Sequence, residues 1–129
     1  MSDMYQTADW KKEKHAPVIE APEKVKKDEL ITVKLSVGKE IPHPNTTEHH
    51  IRWIRLYFLP KGKKFAYELG VAEFNAHGES TKGPNTGPAW TEPQAMFTFK
   101  LTESGTLIGT SFCNIHGLWK SEKEIEVEE

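Results

Sequence analysis

The sequence predicts an all-β fold, an antiparallel β-sandwich of about seven strands. Apolar and polar residues alternate through several short runs, the pattern of strands buried on one face. Clusters of Gly, Pro, Asn and Thr punctuate those runs as turn signals. No stretch of useful length repeats with the helical period.

The head of the chain, up to about Pro17, is polar and carries a Lys/Glu cluster. In "LITVKLSV" (Leu30–Val37), Ile31, Val33, Leu35 and Val37 share one face, while Thr32, Lys34 and Ser36 share the other. Gly38 ends that strand, and a loop containing Pro42 and Pro44 follows. "HIRWIRLYFL" (His50–Leu59) is rich in aromatic and β-branched residues and is bounded by Pro60 and Gly62, so it reads as a long central strand. "FAYELGVAEFNA" (Phe65–Ala76) is a further strand with a bulge expected at Gly70. Residues Gly78–Pro93 form a long Gly/Pro/Thr loop. "QAMFTFKL" (Gln94–Leu101) points Ala95, Phe97, Phe99 and Leu101 inward, "TLIGTSFC" runs from Thr106 to Cys113, and "KEIEVE" (Lys123–Glu128) alternates around Ile125 and Val127.

A chain of 129 residues is read as one domain, 1–129, in which 1–16 form an N-terminal loop segment. A net charge of −2 and the absence of a basic stripe argue against nucleic-acid binding. No apolar run is long enough to cross a bilayer, and the N-terminus lacks an apolar signal core, so a cytoplasmic location is expected. A lone cysteine, Cys113, excludes an internal disulfide and any four-cysteine metal centre.

The histidines carry the chemical signal. "IPHPNTTEHH" (Ile41–His50) holds three of the chain's six, and "CNIHGLW" (Cys113–Trp119) is a Cys-x-x-His that leaves a strand and turns at a glycine. Such a turn brings thiolate and imidazole to one point, and its backbone N–H groups can bond the sulfur. His15 of "EKHAP" adds a third piece. His15, His43, His49, Cys113 and His116 thus all stand at loop or strand-end positions. His77 reads as a solvated strand-edge residue without a role. Adjacent strand residues face opposite ways, so only one of His49 and His50 can serve a common site.

Thiolate with imidazole suits iron, copper or zinc. A closed structural zinc site would leave one donor over. Blue copper wants a weak axial methionine, whereas no Met follows Cys113 and Met96 lies upstream. Imidazoles with one thiolate leave a position open on an octahedral metal, and a thiolate opposite that position donates electron density toward a small ligand. That points to redox-active iron. A blue-copper-like electron-transfer protein and a structural zinc or binding sandwich stay open as alternatives.

"EKHAPVIE", "VGKEIPHPNTTEHHIRWI", "EFNAHGES", "GPNT" and "SFCNIHGLW" together resemble the neelaredoxin-type superoxide reductases, from about Asp9 to Trp119. The related desulfoferrodoxins carry an additional N-terminal iron domain built on cysteines that this chain lacks, so it resembles the one-iron form. The resemblance implies an immunoglobulin-like β-sandwich with one iron per chain in a square-pyramidal centre. It implies His15, His43, His49 and His116 as equatorial ligands and Cys113 as the axial thiolate. Glu13 would be the sixth ligand in the oxidised state, and Lys14 would lie over the open position. His50 and His77 match no ligand. The implied reaction adds one electron and two protons to superoxide, giving hydrogen peroxide without release of dioxygen. The implied partners are a rubredoxin-like electron donor and further copies of the chain in a homotetramer.

Overall fold

The computed structural model describes residues 3–129; Met1 and Ser2, which begin the expected 1–16 segment, lie outside the described residues. Eight strands follow one another: β1 (Val18–Glu20), β2 (Lys24–Lys26), β3 (Ile31–Ser36), β4 (Ile51–Pro60), β5 (Tyr67–Glu73), β6 (Gln94–Phe99), β7 (Gly105–Cys113) and β8 (Gly117–Glu128). They form a three-stranded sheet, β1-β3-β6, and a five-stranded sheet, β2-β8-β7-β4-β5. Among the described residues there is no helix, and none long and apolar enough to cross a membrane.

The alternation read in each run is the alternation observed. Ile31, Val33, Leu35 and Val37 are all buried, and Ile54, Leu56 and Leu107 meet them from the larger sheet with no exposed surface. Ala95, Phe97 and Phe99 of β6 close the same core from the edge of the smaller sheet. The expected bulge near Gly70 is present: β4–β5 pairing passes from Leu56↔Gly70 to Tyr57↔Glu68, leaving Leu69 unpaired. A Cβ on Gly70 would stand 2.3 Å from Cδ1 of Phe97, so the absence of a side chain there lets an aromatic ring of the other sheet reach the edge strand.

Three features differ from the expectation. Strands β1 and β2 have three residues each, too short for any period to show. β2 runs parallel to the end of β8, from Lys24↔Glu126 to Lys26↔Glu128, in a sandwich otherwise antiparallel. β8 starts at Gly117 instead of Lys123, because it pairs with the whole length of β7, from Cys113↔Gly117 to Gly105↔Ile125. Backbone pairing, not alternation, extends it through the half-buried stretch Leu118–Ser121.

This topology creates one crowded end. Antiparallel pairing of β1 with β3 sets Val18 beside Ser36, and that of β4 with β7 sets Ile51 beside Cys113. The start of β1, the end of β3, the start of β4 and the end of β7 therefore meet, with the β7–β8 hairpin among them. Every segment singled out for its histidines or cysteine lies there. Leu56→Ala, which empties a wholly buried position of β4, should lower unfolding free energy by about 2–5 kcal/mol; urea denaturation of the two proteins measures it, and an unchanged midpoint would contradict this account of the core.

Candidate metal centre

Three local devices present the donor side chains. The first is a turn after Asp9, whose carbonyl accepts the N–H groups of Lys12 and Glu13 at 2.9 Å each and whose carboxylate accepts that of Lys11 at 3.0 Å. Gln6 bonds backbone-to-backbone with Leu118 and Lys120 at 2.9 Å, so this segment is laid along the start of β8. His15 then enters the interior at 4% exposure. The Trp119 ring stacks on it, centroids 4.9 Å apart and planes at 13°.

The second device is the loop between β3 and β4. Gly38 has φ +94°, and a Cβ there would fall 2.8 Å from the backbone nitrogen of His43, so only glycine permits this fold-back. His43 stands between two prolines, and its Nδ1 donates to the Pro44 carbonyl at 2.6 Å. That bond fixes the tautomer and leaves Nε2 with a lone pair facing inward. A tight turn presents His49: the Thr46 N–H donates to the His49 carbonyl at 2.9 Å, and the His49 N–H donates to Thr46 Oγ1 at 3.0 Å.

The third device is the hairpin joining β7 to β8. Asn114, Ile115 and His116 form its loop, closed by Gly117 at φ +79°, as three-residue hairpin loops favour. The turn aims the His116 N–H at the Cys113 sulfur, 3.4 Å away.

The donors converge. One ligand atom each from His15, His43, His49 and Cys113 lies within 4.8 Å of all the others. His116 stands at the exposed rim of this cluster: its Nδ1 is 3.1 Å from His15 Nε2 and 3.9 Å from Cys113 Sγ. Nε2 of His43 and of His49 are buried without a hydrogen-bond partner. Unpartnered buried nitrogens beside a buried thiol are costly unless something uses their lone pairs, and a bound metal does so. The residues fit a thiolate- and imidazole-binding metal.

Glu13 does not face the centre of this cluster. One carboxylate oxygen approaches His15 Nδ1 at 2.6 Å, and the other accepts the N–H groups of His15 and of Ala16, the latter at 3.1 Å. A carboxylate on the far nitrogen orients a metal-binding imidazole and raises its basicity. Burial pushes the Glu13 carboxyl up, but these hydrogen bonds outweigh it and hold the group below the usual carboxylate range. Burial lowers His43 to about 4, against the Pro44 carbonyl, and the charges of His15, His49 and Lys14 add to the lowering. Burial also lowers His49, followed by the charges of His116, His15 and Lys14. The ammonium of Lys14 is thus close enough to be felt at two of the imidazoles.

His50 turns away, as the face argument requires of one of the pair. Its Nδ1 donates to the Thr46 carbonyl at 2.8 Å, and its ring lies flat on that of His77, centroids 3.4 Å apart and planes at 6°. His77 is therefore not the solvated edge residue expected; it is 3% exposed, because the loop after β5 folds over the start of β4. The Thr46 turn, the Pro44 carbonyl and Trp119 were not singled out from sequence, although "NTTE" is a turn signal and the tryptophan follows the Cys-x-x-His closely.

Residues 7–122 match the desulfoferrodoxin family. The chain belongs to that family. It is 58% identical over 125 residues to the neelaredoxin of Megalodesulfovibrio gigas, covering 97% of this chain and 96% of that one. With the superoxide reductase of Pyrococcus furiosus it shares 56% identity over 126 residues, covering 98% and 99% respectively. The structure of the superoxide reductase (neelaredoxin) from Archaeoglobus fulgidus in the reduced form superposes with a TM-score of 0.88 at 57% identity, over 96% of this chain and 99% of that one. The desulfoferrodoxin fold is thus the all-β sandwich described above.

The lowered His43 predicts how the metal-free protein responds to acid. A histidine whose folded value is about 4, against about 6.5 unfolded, binds fewer protons when folded. Its contribution to stability is full above the unfolded value and is lost as pH falls toward 4. Urea midpoints of chelator-stripped protein should therefore drop between pH 7 and pH 4.5, and less steeply in His43→Gln. Equal slopes for the two proteins would contradict the burial argument.

Proposed function

We propose that this protein is a superoxide reductase in which His15, His43, His49, His116 and Cys113 hold one iron ion per chain. The observation that carries the ligand assignment is the convergence of four donors within 4.8 Å, two of them with buried, unpartnered nitrogens, in a member of the desulfoferrodoxin family. The iron, when bound, supplies the single electron that converts superoxide, with two protons, to hydrogen peroxide.

The chain's own residues prepare that chemistry. The Pro44 carbonyl holds the proton of His43 on Nδ1, and the Glu13 carboxylate does the same for His15, so that each presents Nε2 as a lone pair. Burial lowers both His43 and His49, which favours the neutral imidazole that ligation requires. The His116 N–H is aimed at the buried Cys113 sulfur and is placed to hydrogen-bond it when it ligates. The protein carries a net charge of −2, so a small anion needs a local positive field to reach the site. Lys14 supplies it, with Lys11 and Lys12 of the same turn adding to it. Lys14 also holds the water that delivers a proton to the reduced substrate.

In the state described, Glu13 orients His15. For it to become a sixth ligand, as the family resemblance implies, it would have to release its bonds to His15 and Ala16. A rubredoxin-like protein is the proposed electron donor, and a homotetramer the proposed assembly. Family membership weighs against the blue-copper alternative.

Metal analysis with a visible spectrum tests this reading most directly. One iron per chain and a thiolate-to-iron absorption band in the oxidised protein are expected, with the band bleaching on reduction. Cys113→Ser should abolish the band; its persistence would remove Cys113 from the ligand set. Lys14→Ala should slow superoxide capture about 10-fold at low salt and flatten its ionic-strength dependence. Pulse-radiolysis rates at two salt concentrations measure both effects, and unchanged rates would exclude the steering role.

A further inference from the structure

Asn114 lies between Cys113 and His116 and has no place in the ligand set. Its carboxamide spans the backbone on both sides of His49. Oδ1 accepts the His50 N–H at 2.9 Å, and Nδ2 donates to the Glu48 carbonyl at 2.9 Å. Its own N–H donates to the His50 carbonyl at 3.2 Å. Among the described residues, every hydrogen bond between residues 43–50 and the 114–116 turn passes through Asn114.

The position explains the residue type. The β4–β7 ladder ends at Ile51↔Cys113, where a register shift already disturbs it. Beyond that point no strand faces the carbonyl of residue 48 and the N–H of residue 50. A planar side chain with one acceptor and one donor group can satisfy both. Asp keeps the acceptor but sets a carboxylate oxygen against the Glu48 carbonyl; Ala keeps neither bond. The Thr46 bonds, by contrast, shape the turn from within the loop and do not tie it to Cys113.

We infer that Asn114 is a positioning residue of the metal centre: its carboxamide clamps the backbone around His49 to the Cys113–His116 turn and so sets imidazole and thiolate at binding distance. This rests on the metal-centre reading above, and its test is read with zinc, so that it does not depend on superoxide chemistry. Zinc affinity is measured by chelator competition, alongside the melting temperature of the metal-free protein. Asn114→Ala should lose about 10- to 100-fold in zinc affinity, the range typical of groups that orient metal ligands.

Thr47→Ala is the control. Thr47 Oγ1 donates to the His77 carbonyl at 2.7 Å, anchoring the same loop on its other side, and its loss should lower the melting temperature while leaving zinc affinity within about 3-fold of wild type, since no ligand-orienting group is removed. Asn114→Asp covers the case in which the alanine variant does not fold. Its added negative charge would by Coulomb attraction alone tighten zinc; the clamp predicts weakening, and a shifted thiolate charge-transfer band in the cobalt-loaded protein. Wild-type affinity in Asn114→Ala, tighter zinc in Asn114→Asp, or an equal loss in Thr47→Ala would each overturn the inference. A wild-type protein that binds no zinc or cobalt would overturn the metal centre itself, and the inference with it.

Discussion

The pairing of β4 with β7 is the constraint on which the site depends. It runs from Pro60↔Gly105 to Ile51↔Cys113 through the middle of the larger sheet. Its far end delivers a buried thiol to the point where the histidine-rich loop enters its strand. Leu56, Ile54 and Leu107 lock this ladder into the core, and shifting a strand by one residue would turn every side chain to the wrong face. A slip would therefore expose Leu56 and withdraw Cys113 together. The same apolar contacts that stabilise the sandwich thus fix the metal-binding geometry.

Around that anchor, neighbouring groups hold the donors in place. Pro44 and Glu13 choose the nitrogen that faces inward, Trp119 backs the His15 ring, Thr46 shapes the turn, and Asn114 ties loop to hairpin. In the absence of metal such a cluster is a destabilising feature: imidazole lone pairs and a thiol buried among like dipoles. Much of the site's rigidity must come from the bonds outside it, because the donors have little reason to stay together without an ion.

How far the sequence could be read follows from which forces leave a pattern. The alternation of Ile31, Val33, Leu35 and Val37 is a direct consequence of one buried face, and so is that of Ala95, Phe97 and Phe99. Gly70 marked its bulge because no other residue tolerates a ring so close. Strands β1 and β2, and the first half of β8, were not legible, since backbone pairing holds them where side-chain burial is partial. At the site, histidine and cysteine spacing named the chemistry, and a family resemblance named the ligand set. The burial of His77 left no mark, because nothing local signals which loop will fold over which strand. Nor did the partners of Glu13: a glutamate that orients a neighbouring imidazole and one that binds a metal look alike in a string of letters.

The donors are drawn from nearly the full span of the chain; His15 and His116 touch across 101 residues of sequence separation. During synthesis the N-terminal histidine leaves the ribosome long before the cysteine turn exists. No partial chain short of that turn contains the thiol, and the hairpin that presents it needs β8 to pair. A fold so rich in distant contacts also forms slowly compared with helical proteins. The full donor set therefore exists only once β8 has paired with β7. A nascent chain exposes its imidazoles to the cell's free metals piecemeal, without the thiolate that gives the finished centre its character.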